Sequence, residues 1–400
     1  MAGVNIATHC YVWKDTIKMD TMIYMDNAAT TQTDPQVVAA MLPYYTEAYG
    51  NPSSIYGFGQ QAKAAIEQAR IQLAKGIHAQ PKEIYCTSGG SESDNWALKA
   101  VAEAYREVGR HIITTKVEHH AILHTAQWLE KQGFEVTYLN VDEKGRISLK
   151  ELEAAIRPDT ILISVMAANN EIGTIQPLYE IGQIARKHGV LFHTDAVQAY
   201  GHIPIRVDEM NIDLLSASSH KLYGPKGVGF LYVRKSVKLR SFIHGGGQER
   251  GRRAGTQNVP GIVGFGQAAE LAWKHMEEWA AEERALRDYL IGRILTEIPD
   301  TVLNGDPENR LPNNIHVSFR GIDGNSLLIL LEQKGICGSA GSACASGSVD
   351  PSHVLLAVGQ TKELAGGALR LTLSHHTGRA EADRVAEALK VIVGRLRERR

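Results

Sequence analysis

Cysteine is scarce in this chain: four in 400 residues, at Cys10, Cys86, Cys337 and Cys344. They are too few and too scattered to staple a small disulfide scaffold. No C-x-x-C pair occurs, so no structural zinc site is expected. A reducing, cytoplasmic setting is the expectation. Long apolar runs are missing too; nothing approaches the ~20 residues of a membrane span. Charge of one sign is not in excess, since the formal net charge is −1, and this gives no bulk attraction for nucleic acid. Residues 1–21 have neither an apolar core nor an Arg-rich amphipathic pattern, so they read as an extension and not as a signal or transit peptide. No internal repeat or low-complexity stretch stands out. What is left is globular composition, 44% hydrophobic and 22% charged, in a chain long enough for two domains.

Apolar patterning then gives the class. Short apolar runs at 84–86, 112–115, 136–139, 161–165 and 190–193 read as strands, with helical spacing between them. Ser148 with Glu151 three residues on is a capping box opening one of the helices. Strands alternating with helices predict an α/β fold with a large, mostly parallel sheet covered on both faces. Ligands in such sheets bind beyond the carboxyl ends of the strands. After Val233 the pattern changes. The Gly/Arg-rich stretch 245–256 predicts a loop, and 263–298 predicts long helices. Strands at 315–319 and 369–373, with helices at 327–331 and 379–396, predict a smaller α+β domain. The expected division is residues 31–275 for the large domain, and 1–30 with 276–400 for the small one.

Four stretches carry candidate chemistry. In SASSHKLYGPKGVG (216–229) a strand ends in a polar turn, followed by a Pro/Gly loop and a second strand. Lys221 there follows Ser216, Ser218, Ser219 and His220. It could form a Schiff base with an aldehyde whose phosphate those hydroxyls and the histidine hold; a solvated surface lysine is the plain alternative. In TSGGSE (87–92) a strand runs through glycines and Ser91 into a helix. That is an anion cradle or an ordinary capped turn, and it lacks both common nucleotide-binding glycine patterns. Asp195, at a strand end in FHTDAVQ, could pair with a protonated ring nitrogen, with Gln198 donating to a ring phenolate; a helix cap is the alternative. Glu118-His119-His120 with His124 resembles a metal motif but is not H-x-x-E-H. Its imidazole better suits stacking on a flat ring or moving protons.

A fifth stretch, ICGSAGSACASGS (336–348), is almost wholly Gly, Ala, Ser and Cys. Such a segment has little to bury, so it is expected to be mobile, with Cys344 exposed and reactive. A Cys344 packed as a small hydrophobe is the competing reading. Cys337, beside Ile336, is expected in the core.

EHHAIL, NNEIGTIQP, HTDAVQAYG, HKLYGPKGVG, GGGQERGRRAGTQN and GSACASGSVDPSHVL stand in order along the chain. Together they resemble the NifS/IscS cysteine desulfurases, fold-type I pyridoxal-phosphate enzymes of the class V aminotransferase group, over about residues 23–385. The resemblance implies that Lys221 holds pyridoxal phosphate as a Schiff base, and that His119 stacks on the ring and relays protons. It implies Asp195 at the pyridine nitrogen and Gln198 at the phenolate oxygen. Gly90, Ser91, Ser218 and His220 would bind the phosphate, with Thr256 arriving from the other subunit of a homodimer. Asn170 and Arg370 would hold the carboxylate of L-cysteine, Asn170 also lying near the ring. Cys344 would take the sulfur as a persulfide, releasing L-alanine. An iron–sulfur scaffold or another sulfur acceptor would be the partner, with Cys344 a transient cluster ligand at most. A selenocysteine lyase or another class V enzyme is the alternative. The chain departs from the family at Ser91, where threonine is common, at Ser219, where glycine is frequent, and in SHHTGRAEAD after Leu373.

Overall fold

The computed structural model describes residues 22–341 and 351–398. Ile23–Tyr24 form a short strand, β1. The apolar runs that follow become a seven-stranded sheet. Its members are β2 (Ile84–Thr87), β3 (His111–Thr115), β4 (Glu135–Leu139), β5 (Thr160–Ser164), β6 (Leu191–Asp195), β7 (Leu214–Ser218) and β8 (Gly229–Val233). The order across the sheet is β2-β8-β7-β6-β5-β3-β4. All neighbours from β7 to β4 run parallel, while β8 runs antiparallel to both β2 and β7. The direction of β8 follows from its connection: residues 219–228 are too few for the crossover a parallel pair requires.

The pleat explains why the strands are apolar without alternation. Ile113, Ile163, Leu215 and Phe230 join one hydrophobic cluster, and their neighbours Ile112, Leu162, Leu214 and Leu231 join another. Consecutive side chains point to opposite faces of a strand, and both faces are covered by helices, so both must be apolar. β4, at the sheet edge, is the strand of this sheet that leaves most of its residues partly exposed.

A third cluster forms around a three-stranded antiparallel sheet of β9 (Thr301–Leu303), β10 (Asn314–Phe319) and β12 (Ala368–Thr372), ordered β12-β10-β9. The two-residue strand β11 (Ile336–Cys337) pairs in parallel with β1. The helices expected over 263–298 form one unbroken helix, Val259–Glu297, about 58 Å long. Its Ile262 and Phe265 pack in the cluster of Ile113 and Phe230 on the large sheet, and its Leu290 and Ile294 in the cluster around the small sheet.

One expectation needs correction. Cys337 is only partly buried; its thiol lies 3.2 Å from Met22 Sδ, and Ile336 takes the inward position of this short strand. Within the 245–256 loop, residues 248–251 make a tight turn in which Glu249 and Arg250 take left-handed φ of 45° and 58°. The cause is tertiary. The buried Glu249 carboxylate accepts from Arg70 Nη1 and Nη2 at 2.7 and 2.6 Å, from the Cys86 N–H at 2.8 Å and from Gln257 at 2.7 Å. Among the described residues no helix is long and apolar enough to cross a membrane.

Candidate active site

The carboxyl ends of β3, β5, β6 and β7 face one cavity of about 390 Å³. His119 and His120 reach it from the segment after β3, Asn170 and Glu171 from that after β5, Asp195 and Gln198 from the end of β6, and Ser218, His220 and Lys221 from β7. Gly90 and Ser91 arrive at the start of the helix Gly90–Ala104, and Arg370 from β12. Every site residue that the family resemblance implies, except Thr256 and Cys344, therefore lines one space. Ser216 and Ser219 are not among its walls; the Ser216 hydroxyl instead meets His193 Nε2 at 3.1 Å. Thr256 lines a separate cleft with Tyr44, Tyr49 and Asn51. Cys344 lies outside the described residues.

Lys221 ends a single 3₁₀ turn, Ser219–Lys221, that follows β7 directly. Its ammonium donates to the carbonyls of Ala28 and Ala29 at 2.5 and 2.8 Å. Gln198 Nε2 donates to the same Ala28 carbonyl at 2.9 Å. His220 Nδ1 lies 3.2 Å from the Thr30 hydroxyl. Burial, then the charges of Lys221 and Lys226, push the His220 imidazole down to about 4, so it is neutral near pH 7.

Asp195 is buried and accepts from the Val197 N–H at 2.9 Å. Beside it stands a residue that sequence reasoning missed, the fully buried Asp94 of the helix Gly90–Ala104. Burial raises both carboxyls, and the neighbouring Asp195 raises Asp94 further. Two buried carboxyls so close resist ionising together. Behind them Glu118 accepts from the Thr115 hydroxyl at 2.8 Å and the Met166 N–H at 3.0 Å. Burial pushes its carboxyl up to about 8. His119 caps the helix His120–Glu130 by accepting from the Ala121 N–H through Nδ1 at 3.1 Å. That bond assigns the proton of the neutral ring to Nε2.

Arg370 is 2% exposed. Its Nη1 donates to the carbonyls of Asn170 and Gly341 at 2.8 and 3.0 Å, and its Nη2 to Asp26 Oδ1 at 2.9 Å. Its Nε has no partner among the described residues. Asp26 and Glu171 were also missed by sequence reasoning; the Glu171 carboxylate accepts from the Ser352 hydroxyl at 2.5 Å. Asp26 opens the DNAAT turn that follows β1.

The sequence pattern of the aminotransferase class-V family matches residues 23–385. The chain belongs to the class-V aminotransferase family. Within it, the chain is 58% identical over 375 residues to the cysteine desulfurase IscS of Methanosarcina thermophila, covering 94% of this chain and 93% of that one. It is 54% identical over 382 residues to the IscS of Clostridium botulinum strain Hall, covering 95% and 96%. A solved NifS-like protein superposes with a TM-score of 0.89 at 42% identity, covering 94% of this chain and all of that one. Class-V family members named cysteine desulfurase are pyridoxal-phosphate enzymes.

The residues present fit that group. Gly89 has φ of 152°, and a Cβ on Gly90 would stand 2.6 Å from Val197 Cγ2. Only glycines let the backbone make this turn, and the turn leads into the N-terminus of a 15-residue helix, where N–H groups favour an anion. An amine, a buried carboxylate pair and an anion cradle thus share one cavity with a guanidinium.

Proposed function

We propose that this chain is a cysteine desulfurase that takes sulfur from L-cysteine, releases L-alanine and carries the sulfur as a persulfide on Cys344. The observation that supports it best is the convergence of Lys221, Asp195, His119 and Arg370 on one cavity, in a chain 58% identical to a protein named cysteine desulfurase.

Pyridoxal phosphate, when bound, supplies an electrophilic carbon for the substrate amine and a conjugated ring that accepts the electron pair of its α-carbon. Lys221 would hold it covalently and then act as the base that takes the α-proton. Asp195 would keep a proton on the ring nitrogen, and Gln198 would donate to the phenolate. Gly90, Ser91, Ser218 and His220 would bind the phosphate, and the neutral His220 ring suits donation to it. His119 would stack on the ring and deliver a proton from Nε2. Arg370 and Asn170 would hold the substrate carboxylate. The Cys344 thiolate would attack the substrate sulfur: an S–S bond forms, the Cβ–S bond breaks, and its electron pair stays on carbon, which is protonated to the methyl of alanine. Carbon is reduced and sulfur oxidised, so no outside oxidant is needed.

Thr256 would act in trans, from the partner subunit of a homodimer. Exposed Tyr45, Tyr49, Ile55 and Tyr56 lie close in sequence to the walls of its cleft and suit burial against a second copy. We assign residues 31–275 to a large domain, and 1–30 with 276–400 to a small one, supported by the two separate hydrophobic clusters. A cytoplasmic iron–sulfur scaffold or other acceptor protein would receive the sulfur; no nucleic-acid or membrane partner is invoked.

Incubation with L-cysteine and a thiol reductant, which cleaves the persulfide and releases its outer sulfur as sulfide, tests the reading: stoichiometric alanine and sulfide are expected. Alanine from selenocysteine with none from cysteine would favour a selenocysteine lyase.

A further inference from the structure

The segment that departs from the family pattern, SHHT at 374–377, is not used by the proposed reaction. His375 is held between rings. Its imidazole stacks on Trp279 with centroids 3.9 Å apart and planes 5° from parallel, and meets Tyr223 edge-on at 4.4 Å. Its Nδ1 is shielded from solvent and has no hydrogen-bond partner among the described residues. His376 lies against it at 3.9 Å. Facing both is Asp34, whose Oδ1 accepts from the Gln36 N–H at 2.7 Å and caps the helix Pro35–Met41. One carboxylate oxygen and one ring nitrogen from each histidine lie within 4.8 Å of one another, the one such group of three potential ligands among the described residues.

We propose that Asp34, His375 and His376 bind a divalent first-row transition ion, with Zn²⁺ the expected occupant. Two imidazoles and a carboxylate are a borderline donor set that suits Zn²⁺ and its neighbours better than Mg²⁺ or Ca²⁺. Three protein ligands leave a position for water. A buried imidazole nitrogen without a partner is costly, and a metal bond would satisfy it. Stacking on Trp279 fixes the ring before metal arrives, as outer contacts do in metal sites.

The ion would tie two parts of the active-site surround. The Asp34 N–H donates to the Tyr223 carbonyl at 2.9 Å, and the Tyr223 N–H donates to the Thr31 hydroxyl at 2.8 Å. Asp34 is thereby stitched to the segment carrying Lys221. His375 and His376 follow β12, which carries Arg370. The metal therefore links the turn behind the proposed lysine to the strand of the proposed carboxylate anchor.

The test uses the full-length holoenzyme with Cys344→Ser, so that this thiol does not compete for metal. Metal-stripped protein is titrated with Zn²⁺ by calorimetry and with Co²⁺ by absorbance. One equivalent of each is expected, with Co²⁺ ligand-field bands and no thiolate charge-transfer band. Zn²⁺ should raise the melting temperature, because it binds only the folded state. Adding His376→Ala should abolish both the equivalent and the rise in melting temperature while the cofactor absorbance stays. Asp34→Asn, which keeps a helix cap, should weaken binding. No bound equivalent in the Cys344→Ser protein, a thiolate band, or an unchanged equivalent in His376→Ala, whose side chain is exposed, would overturn the proposal.

Discussion

The Lys221 ammonium donates to the carbonyl of Ala28 at 2.5 Å, across 193 positions of the chain. The amine is held at the cavity by the first turn of the fold as well as by its own strand. Lys221→Ala is therefore expected to fold, since water can satisfy the Ala28 and Ala29 carbonyls that lose their donor. It should lose the visible absorbance of lysine-linked pyridoxal phosphate and all turnover of L-cysteine. Full turnover in this variant, followed by alanine release, would remove Lys221 from the reaction.

Arg370 bridges Asp26 and the Asn170 carbonyl at the cavity wall. A charge-assisted hydrogen bond contributes about 1.5–3 kcal/mol. Arg370→Lys, which cannot pair with a carboxylate in the same bidentate way, should lower kcat/KM for L-cysteine by roughly 10- to 100-fold. The cofactor absorbance should stay, which separates a substrate anchor from a folding defect.

Arg70 and Glu249 form an ion pair with side chains 2% and 1% exposed. Glu249→Ala leaves the buried Arg70 guanidinium with one remaining carboxylate partner, the exposed Glu67 at 3.0 Å from its Nε. Breaking such a pair costs about 3–5 kcal/mol. The midpoint of urea unfolding should fall accordingly, and a shift no larger than that of an exposed-pair control such as Glu209→Ala would contradict the account.

Glu118 gives a pH signature. Its folded carboxyl titrates near 8, against 4.5 for an ordinary glutamate, because burial disfavours the anion. Between those values the folded state holds a proton that the unfolded chain has released. The contribution is fully present below about pH 4.5 and is lost as pH rises through about 8. Glu118→Gln should flatten the fall in melting temperature across this window. Glu283, also raised to about 8 by burial, supplies the second part of the slope, so the double variant should be flatter still. An unaltered slope in both single variants would contradict the assignment.

Much of the site was legible because its residues sit at strand ends, where the local pattern is strong. Lys221 and Asp195 each close an apolar run, and parallel strands bring such ends together whatever lies between them. Asp94 was not legible: four residues into a helix, it looks like any solvent-facing acid until the helix is docked on the sheet. Arg70 and Glu249, separated by 179 positions, carry no local signal of pairing. The sequence reading expected long helices over 263–298, where one helix starts four residues earlier, at Val259, and takes in Pro260, Gly261, Gly264 and Gly266. Pro260 falls in the first turn, where its missing N–H goes unneeded. Gly266 abuts Ala69 of the helix Gly57–Lys75, where a Cβ would come within 2.8 Å, so it serves close packing instead of breaking the helix.

The central claim is that sulfur leaves L-cysteine for Cys344. Mass spectrometry of the intact protein and its peptides after incubation with L-cysteine tests it most directly. The peptide carrying Cys344 should gain one sulfur atom in step with alanine release, the gain should reverse with a thiol reductant, and Cys344→Ser should show neither gain nor sulfide. Alanine formed at the wild-type rate by Cys344→Ser, or sulfur gained at Cys86 or Cys337 instead, would contradict it.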